Sequence, residues 1–276
     1  MHNNPVSCND NIFDMNTKRT IVIKIGGSTL ESNDTTLSDI VSLQDSGNEI
    51  VVVHGGGPLI SDWMKRQGLL PRFIKGLRVT DSASLEIAVA VLAGLINKQL
   101  VSTIASLGGR AIGLSGVDGN MLQGQISNPD LGFVGRITKV DPNPILGILQ
   151  AGYIPMIAPV AIAETEQAGS FLLNINGDIA AGHLAWALKA DELIFLTDVA
   201  GVLDSSGRLI SRLTAREARG LITAGIAHGG MIPKLESCIV AIERVPKARI
   251  LDGRHPGTLI KALNNDTLGT QIIGKY

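Results

Sequence analysis

Short β-branched runs alternate with helical patterns along nearly the whole sequence. The run Ile21–Ile25 precedes a helical pattern over 35–44, and the strand-like runs Leu193–Leu196 and Ala248–Leu251 enclose further helical segments in the second half. Runs that are apolar on both faces are typical of parallel strands that helices cover on both sides. The alternation therefore predicts an α/β fold, a three-layer α/β/α sandwich around a mainly parallel central sheet.

Turn and capping signals predict the elements between these runs. Arg72–Thr80 has the pattern of an extended or hairpin segment, and the glycine-punctuated alternation over Met121–Val140 predicts a second hairpin. Asp81 can cap a long helix over 82–107, and Thr214 opens the capping box of a later helix.

Composition narrows the classes of function. The 276 residues carry a formal net charge of −1, which leaves no basic surplus for general binding of nucleic acid. The apolar run Ile87–Ile96 is too short to span a bilayer, and no signal peptide is visible. Cys8 and Cys238 provide neither a disulfide framework nor a zinc-binding spacing. We expect a cytoplasmic protein with no membrane partner, in which a flexible tail, residues 1–19, precedes a single domain, residues 20–276.

Three glycine-rich turns accompany the strand-like runs. They lie at Gly26 and Gly27, at 55–57, and at 229–230 before a helix. In open α/β sheets, ligands bind beyond the carboxyl ends of the strands, where free N–H groups and helix N-termini attract anions. The three turns together indicate an anion site, although a tight turn explains each of them alone. The P-loop and dinucleotide fingerprints are absent, so any nucleotide site must use another design.

Two lysines stand in unusual places. Lys24 lies inside an apolar run, and Lys234 lies in the first turn of a helix, the wrong end for a cation. The alternatives are an edge-strand lysine that blocks aggregation and a solvated helix-start lysine. Together the two ammonium groups could act on one transferring phosphoryl group. Asp178 opens a helix, so it could cap that helix, hold the lysines by ion pairing, or do both.

Further polar residues are candidate ligands. Arg78 could pair bidentately with a substrate carboxylate, and a surface arginine is the equal alternative. Asn174 and Asn176 alternate along an extended stretch and therefore face the same side, with ordinary loop asparagines as the alternative. His54 precedes three glycines, but a histidine at the edge of the core is the favoured interpretation. The GxSxG elbow is missing, which excludes a serine hydrolase by motif.

Eight ordered segments carry a family resemblance. They are Ile21-Val-Ile-Lys-Ile-Gly-Gly27, Val51-Val-Val-His-Gly-Gly-Gly-Pro58, Lys75-Gly-Leu-Arg-Val-Thr-Asp81, Asn97-Lys98, Gly113-Leu-Ser-Gly-Val-Asp-Gly119, Asn174-Ile-Asn-Gly-Asp178, Leu196-Thr-Asp-Val-Ala-Gly-Val202 and Gly229-Gly-Met-Ile-Pro-Lys234. Together they resemble the amino acid kinase superfamily and, within it, the acetylglutamate kinases. The resemblance covers 20–273 and implies ATP-dependent phosphorylation of the side-chain carboxylate of N-acetyl-L-glutamate, giving N-acetylglutamyl 5-phosphate in arginine biosynthesis.

The resemblance implies a catalytic role for three residues. Lys24 and Lys234 would stabilise the transition state, and Asp178 would orient both lysines. Gly26 and Gly27 would give backbone N–H groups to the phosphoryl group. A substrate carboxylate with a pKa of about 4.3 is already ionised at neutral pH, so no general base is needed.

The resemblance also implies two lobes with different ligands. The N-lobe, residues 20–173, would bind the acyl amino acid. Gly56 and Gly57 would bind this substrate, and Arg78 and Asn174 would hold its carboxylate end.

The C-lobe, residues 174–276, would bind ATP. Asp198, Gly201, Leu203 and Gly230 would line the nucleotide site. Mg²⁺ would be held mainly by the ATP phosphates, so no metal ligand is expected from the protein.

The expected regulation and assembly rest on positions at which the sequence differs from that of arginine-inhibited relatives. Residues 1–19 lack an amphipathic period, and Gly257 and Ala262 stand where those relatives carry a histidine and a glutamate. We therefore expect a homodimer with weak or absent inhibition by arginine.

Two other functions compete with acetylglutamate phosphorylation. A related kinase could act on an acetyl- or carrier-linked aminoadipate, but such relatives carry a changed segment in place of 76–80. A non-catalytic sensor on the same fold would not need Lys24, Asp178 and Lys234 together. A dehydrogenase fails because the dinucleotide fingerprint is absent.

Overall fold

The computed structural model describes residues 18–26, 35–74, 76–167, 169–264 and 267–274. The strands are β1 (Thr20–Ile25), β2 (Glu49–His54), β3 (Phe73–Ile74), β4 (Leu77–Arg78), β5 (Ala111–Ser115), β6 (Leu122–Ile126), β7 (Gly135–Val140), β8 (Ile154–Ala158), β9 (Val160–Gln167), β10 (Ser170–Asn174), β11 (Glu192–Thr197), β12 (Arg212–Thr214), β13 (Lys247–Asp252) and β14 (Thr270–Ile273). The α-helices are α1 (Thr36–Asp45), α2 (Gly57–Arg66), α3 (Ser82–Val89), α4 (Asn97–Ser106), α5 (Asn143–Gln150), α6 (Gly177–Leu188), α7 (Ala215–Thr223), α8 (Met231–Ala241) and α9 (Thr258–Asn264). Short 3₁₀ turns occupy Asp118–Asn120 and Pro129–Leu131.

An eight-stranded sheet forms the centre of the molecule, in the order β12-β14-β13-β11-β1-β2-β8-β5. The six strands from β13 to β5 run parallel to one another. The last strand, β14, adds antiparallel to β13, and β12 pairs parallel with β14. The prediction of a mainly parallel sheet is confirmed, and β1 lies at its middle with a partner on each side.

Helices cover both faces of this sheet. Ile21 and Ile23 of β1 belong to one apolar cluster, which includes Ile40 of α1 and Ile104 of α4. Val22 points to the other face and belongs to a second cluster, which contains side chains of α6 and α8. Successive side chains of a strand point to opposite faces, so the two clusters are the two core layers of a sandwich. The predicted three-layer arrangement is confirmed.

A second, four-stranded sheet has the order β10-β9-β6-β7. Its β6 and β7 pair antiparallel within the predicted hairpin Met121–Val140. The other predicted hairpin, Arg72–Thr80, contains the antiparallel pair β3 and β4. Both hairpin predictions are confirmed.

One long helix runs from Ser82 to Ser106. Asp81 caps it as predicted, because its Oδ1 accepts a hydrogen bond of 2.8 Å from the Ser84 N–H. A π-helical segment, Ala90–Ile96, joins α3 to α4 within this helix. By length and hydropathy, the whole helix Ser82–Ser106 is the one helix among the described residues that could cross a membrane. Of its most apolar 18-residue stretch, 44% is buried inside the protein. Core helices satisfy the same criterion, and Ile104 of this helix is part of the core.

The predicted capping box of α7 is also present. The Thr214 hydroxyl oxygen accepts from the Glu217 N–H at 3.3 Å, and the Glu217 carboxylate accepts from the Thr214 N–H at 2.8 Å. These reciprocal bonds satisfy two N–H groups that a helix end leaves without partners within the helix.

The chain is anchored immediately before β1. Lys18 binds Glu49 at 2.6 Å, and Arg19 binds the buried Glu192 at 3.0 Å. Most of the segment that the sequence predicts as a flexible tail, residues 1–17, lies outside the described part of the chain.

Candidate active site

Lys24 projects from the middle of the central sheet. Its strand, β1, lies between β2 and β11, and the lysine is only 8% exposed. The alternative of an edge-strand lysine is therefore wrong. Because side chains alternate along a strand, Lys24 shares a face with Val22, the face that α6 covers. This alternation directs the ammonium group of Lys24 toward the start of α6.

Asp178 meets both lysines at the N-terminus of α6. Its Oδ1 lies 2.8 Å from the Lys24 Nζ, and its Oδ2 lies 3.1 Å from the Lys234 Nζ. The carboxylate is 4% exposed. Of the two possible roles for Asp178, ion pairing is the one that the geometry supports.

The helix cap belongs to another residue. Asn176 Oδ1 accepts hydrogen bonds from the N–H groups of Asp178 and Ile179, at 2.8 and 3.2 Å. The interpretation of Asp178 as an N-cap is therefore wrong. Because Asn176 satisfies the backbone, the Asp178 carboxylate is available for the two ammonium groups.

Two opposing effects act on the pKa of Asp178. Burial raises the pKa because it disfavours the charged form, and the nearby ammonium groups of Lys24 and then Lys234 lower it. The net direction is downward. Asp178 is therefore a permanent negative charge between two positive charges at neutral pH.

Lys234 reaches the carboxylate from the first turn of α8. Proline at 233 suits that turn because a first-turn residue has no helical partner for its N–H. Besides Asp178, the Lys234 ammonium group donates to the Gly230 carbonyl at 3.4 Å. Its side chain is 13% exposed, so the alternative of a solvated helix-start lysine is wrong.

A cavity of about 310 Å³ opens next to Lys24. It brings together six of the residues that the sequence singles out as candidate ligands. These are Lys24, Gly56, Gly57, Arg78, Asn174 and Asn176, and the lining also contains Phe73, Leu77, Val134 and Pro159. The mixture of apolar walls with a few convergent polar groups is typical of a small-molecule site.

Arg78 is a buried residue, 8% exposed, so the surface alternative is wrong. Its Nη2 donates to the Gly57 carbonyl and to the Ser61 hydroxyl oxygen, both at 2.8 Å. Its guanidinium carbon lies 4.8 Å from the centre of the Phe73 ring. These contacts hold the cation in place. Within the described part of the chain no acidic side chain pairs with Arg78, and such a setting favours an anionic ligand.

Two asparagines, Asn174 and Asn176, line the same cavity, so they face one side as their alternation predicts. Asn174 Nδ2 donates to the Thr80 hydroxyl oxygen at 3.1 Å, which ties the end of β10 to the segment after β4. Asn176 caps α6. Both asparagines have structural hydrogen bonds, and both line the cavity.

The glycine turn after β2 lines the cavity at the start of α2. A Cβ atom at Gly56 would come within 2.4 Å of Ile96 Cδ1 and 2.8 Å of Leu92 Cδ2, whereas a Cβ at Gly57 would meet nothing within 4 Å. The turn at Gly56 therefore has no room for a side chain. The turn packs closely against Leu92 and Ile96, and its backbone lines the cavity. It lies beside the N-terminus of α2, and a helix N-terminus favours anions.

The predicted nucleotide residues lie at the carboxyl end of β11 and before α8. Asp198 and Gly201 follow β11, Leu203 is 45% exposed, and Gly230 precedes α8. Gly201 has φ +146°, and a Cβ there would meet Thr270 Oγ1 at 2.6 Å. None of these four residues lines the cavity beside Lys24.

The phosphate turn after β1 is only partly described. Gly26 donates its N–H to the Leu196 carbonyl at 3.3 Å, which continues the pairing of β1 with β11. This N–H therefore already has an acceptor in the sheet, contrary to the prediction that Gly26 gives it to the phosphoryl group. Gly27 lies outside the described residues, as does Lys75. Within the described ranges, no group of three or more His, Cys, Asp or Glu side chains could hold a metal ion.

Sequence reasoning missed two contributors to this site. Phe73, from the short strand β3, supports the Arg78 guanidinium. Thr80, fully buried, holds Asn174. A signal for both was present, because each lies in the hairpin segment that also contains Arg78.

Comparison with known proteins places the chain in a family. The amino acid kinase family model matches residues 19–252. The acetylglutamate kinase of Dehalococcoides mccartyi strain 195 is 43% identical over 258 residues, which cover 93% of this chain and 95% of that protein. The acetylglutamate kinase of Caldanaerobacter subterraneus subsp. tengcongensis is 45% identical over 264 residues, with 92% and 87% coverage.

A solved structure has a similar fold. The crystal structure of the Streptococcus mutans UA159 protein smu.665 superposes with a TM-score of 0.77 at 30% identity and covers 92% of this chain and 98% of that one. Fold, ordered motifs and sequence identity over nearly the whole length agree. The chain belongs to the amino acid kinase family and, within it, to the acetylglutamate kinases.

Proposed function

We propose that this chain transfers the γ-phosphoryl group of ATP to the side-chain carboxylate of N-acetyl-L-glutamate, giving N-acetylglutamyl 5-phosphate in arginine biosynthesis. The observation that carries the proposal is the buried arrangement of Lys24 and Lys234 on the two oxygens of Asp178, beside a cavity that contains Arg78. The names of the relatives support the choice of acceptor.

The reaction suits a site with cations and no general base. A carboxylate oxygen of the substrate attacks the γ-phosphorus, the bond from that phosphorus to the bridging oxygen breaks, and ADP leaves with the electron pair. No proton must be removed, because the acceptor is already ionised. The remaining requirement is to place the two reactants and to neutralise charge on the phosphoryl oxygens. Lys24 and Lys234 meet that requirement, and Asp178 holds them in place.

The cavity beside Lys24 is the acyl amino acid site of this proposal. Arg78 and Asn174 hold the carboxylate at the end of the substrate that does not react. Gly56 and Gly57 bring backbone close to the substrate, and the side-chain carboxylate points toward Lys24. Arg78 suits this role because its guanidinium is already fixed by Gly57 and Ser61 before substrate binds.

ATP occupies the region after β11 and before α8 in this proposal, with Asp198, Gly201, Leu203 and Gly230 around the nucleotide and Gly27 at the phosphoryl group. Mg²⁺ accompanies the ATP phosphates and neutralises part of their charge. The donor set near the lysines fits that arrangement, since Asp178 is already engaged by two ammonium groups. The N-lobe, 20–173, then carries the acyl site and the C-lobe, 174–276, the nucleotide site of one domain.

The test is ATP-dependent acyl-hydroxamate formation in the presence of hydroxylamine, which traps an acyl phosphate. Acetylglutamate, glutamate, aspartate and acetyl-aminoadipate are compared as acceptors, with Lys234→Ala beside the unaltered protein. We expect turnover with acetylglutamate and its loss in the variant. Preference for acetyl-aminoadipate would replace the acceptor in this proposal. ATP binding without hydroxamate from any carboxylate would favour a sensor.

The assembly in this proposal is a cytoplasmic homodimer with weak or absent inhibition by arginine. Among the described residues, β5 is the last strand at one edge of the central sheet. Ile112 within it is 38% exposed, and Leu107 shortly before it is 44% exposed. A sheet edge with exposed apolar side chains favours association with a second copy. Light scattering should give a mass of about 58 kDa, twice 29.0 kDa. A hexamer, or inhibition by micromolar arginine, would contradict this part of the proposal.

A further inference from the structure

A row of three polar side chains leads from the exposed Lys98 through Asn97 to His54, which directly precedes the glycine turn at 55–57. Lys98 Nζ donates to the Asn97 Oδ1 at 3.0 Å, and the Asn97 Nδ2 lies 3.2 Å from the His54 Nε2. The other ring nitrogen, Nδ1, lies 3.1 Å from the Gly55 carbonyl oxygen. Asn97 and His54 are both fully buried. None of these three side chains lines the cavity beside Lys24.

The orientation of the Asn97 amide follows from its partners. Lys98 can only donate, so the atom it contacts must be the amide oxygen. On the other side, the carbonyls of Leu114 and Met156 lie 3.3 and 2.8 Å from Nδ2, and carbonyls can only accept. The amide nitrogen therefore faces His54. It shares its two hydrogens among three acceptors, the two carbonyls and the ring nitrogen, and it cannot itself accept a hydrogen bond.

The amide orientation determines the tautomer of His54. Since Asn97 presents a donor, the Nε2 of His54 must accept and cannot carry a proton. The proton of the neutral ring is then on Nδ1, where it donates to the Gly55 carbonyl. Burial lowers the pKa of His54 to about 4, the bond to Gly55 opposes this shift, and Lys24 and Lys98 add to it, so the ring is neutral at pH 7.

The bond from His54 orients the first peptide of the glycine turn. The Gly55 N–H already donates to the Ile25 carbonyl at 3.0 Å, which ties this residue to β1. With the Gly55 carbonyl held by the imidazole, the next N–H, that of Gly56, points the opposite way, because the peptide is planar and trans. Since residues 55–57 line the cavity, the side of the turn away from His54 is the ligand side.

The π-helical segment positions Asn97 and also packs against the glycine turn. Asn97 directly follows Ala90–Ile96, and Leu92 and Ile96 from that segment pack against Gly56. On the far side, a Cβ at Gly113 would lie 1.9 Å from the Asn97 Oδ1, so only glycine leaves room for the amide. An extra residue in a helical turn shifts the side chains after it, and such turns are frequent at functional sites. The segment supports the glycine turn through packing and through Asn97.

We propose that His54 is a positioning residue for the acyl-substrate site: held by Asn97, it donates from Nδ1 to the Gly55 carbonyl and thereby aims the Gly56 N–H at the substrate. This inference rests on the proposed function, because it assigns the cavity to the acyl amino acid. The sequence favours a histidine at the edge of the core at position 54. The inference adds a role in the reaction for that histidine.

A matched pair of substitutions tests the role of His54. Asn and Leu have nearly the same shape, but Asn at 54 retains an N–H group at the position of Nδ1 and Leu does not. We expect His54→Leu to raise the KM for acetylglutamate by roughly tenfold, the size of one lost orienting hydrogen bond, with a smaller change in the KM for ATP. His54→Asn should stay within about threefold of the unaltered protein in both constants.

The outcomes separate this inference from the function on which it rests. If the unaltered protein forms no hydroxamate from acetylglutamate, the proposed function fails. If it does, and His54→Leu and His54→Asn behave alike, the positioning role is overturned. A purely structural role predicts equal changes in the KM for acetylglutamate and for ATP, so that result would also overturn it.

A spectroscopic measurement keeps the inference testable if His54→Leu does not fold. Long-range ¹⁵N–¹H correlation on histidine-labelled protein at pH 7 reports which ring nitrogen carries the proton, and the spectrum of His54→Asn assigns the His54 signals by their absence. We expect Nδ1 to be protonated and Nε2 to be unprotonated. The opposite tautomer, or a doubly protonated ring, would overturn the inference.

Discussion

Lys24 and Lys234 hold different oxygens of one carboxylate, with the Lys24 Nζ at 2.8 Å from Oδ1 of Asp178 and the Lys234 Nζ at 3.1 Å from Oδ2. The three side chains come from β1, α6 and α8 and carry a net charge of +1 at neutral pH. With two cations on one anion, the group is neutralised only in part. Its remaining positive charge favours a further anion, such as a phosphoryl group, beside the lysines.

Removal of one of these cations should reduce the rate of the reaction more than binding. For Lys24→Met we expect kcat to fall by roughly 10²–10³, the range found when one preorganised donor is removed from a transition state. Steady-state hydroxamate assays give the value. Lys65→Met is the matched control, because Lys65 is exposed in the last turn of α2. An equal loss in both variants would contradict the role of Lys24.

Neutralisation of the central carboxylate should destabilise the fold. Asp178→Asn keeps the shape but leaves two nearly buried ammonium groups without their counter-ion, so we expect a loss of about 3 kcal/mol in the free energy of unfolding. Urea denaturation measures it. Asp62→Asn is the control, since Asp62 pairs with Arg66 at 2.6 Å on the surface and should cost about 0.5 kcal/mol or less. A surface-like cost at Asp178 would show that the buried pairs contribute little.

The stability that the Asp178 carboxylate contributes should depend on pH in one direction. Its folded pKa lies below the ordinary value. The contribution is therefore complete above the unfolded pKa of about 3.9 and is lost as the pH falls through the lower folded pKa. Thermal unfolding should show a constant difference in Tm between the unaltered protein and Asp178→Asn from pH 5 to 8, and a shrinking difference toward pH 3. A difference that shrinks above pH 5 would contradict the lowered pKa.

Replacement of the guanidinium should weaken acyl-substrate binding selectively. Arg78→Lys keeps the charge but cannot bind Gly57, Ser61 and a substrate carboxylate together in one plane, so we expect the KM for acetylglutamate to rise by roughly tenfold or more. The KM for ATP should change little. Arg72→Lys, on the exposed first residue of the same hairpin segment, controls for general effects. Parallel rises in both constants for Arg78→Lys would argue against a substrate contact.

The two glycines at the start of α2 should respond differently to one added methyl group. Gly56→Ala places a Cβ against Ile96 and Leu92, and overpacking of this kind typically costs about 1–3 kcal/mol. Gly57→Ala meets open space and should leave the free energy of unfolding nearly unchanged. Thermal or urea unfolding of the two variants gives the comparison, and similar losses in both would contradict the packing described for Gly56.

The sequence was sufficient to predict the central sheet and the lysine in its middle. Parallel strands covered on both faces have a continuous apolar pattern, and a lysine inside such a pattern has no structural explanation at a central position. The ligand positions also follow from the rule that sites lie beyond the carboxyl ends of strands. For these reasons Lys24 and the glycine turn that contains Gly56 could be predicted to lie at one site, whereas the place of Arg78 in that site was implied by the family resemblance.

Other features depend on tertiary contacts that local patterns do not encode. Asn176 and Asp178 are both suitable helix caps. Which of them caps α6 depends on the residue at which the extended stretch ends and the helix begins. The π-helical segment has no periodic signature, and the row from Lys98 to His54 joins residues far apart in the sequence. Strand β9 was missed because the consecutive exposed polar residues Glu164, Thr165 and Glu166 interrupt its strand pattern.

The central position of β1 has a consequence for how the protein is made. Its first neighbour, β2, follows within 30 residues, but its other neighbour, β11, begins at residue 192. During synthesis on the ribosome, the first strand to emerge must therefore wait for more than half of the chain before one side of it is paired. Pairing over such a sequence separation is slow to form. A prematurely terminated chain that ends at residue 173 would leave that edge of β1 open and prone to aggregation.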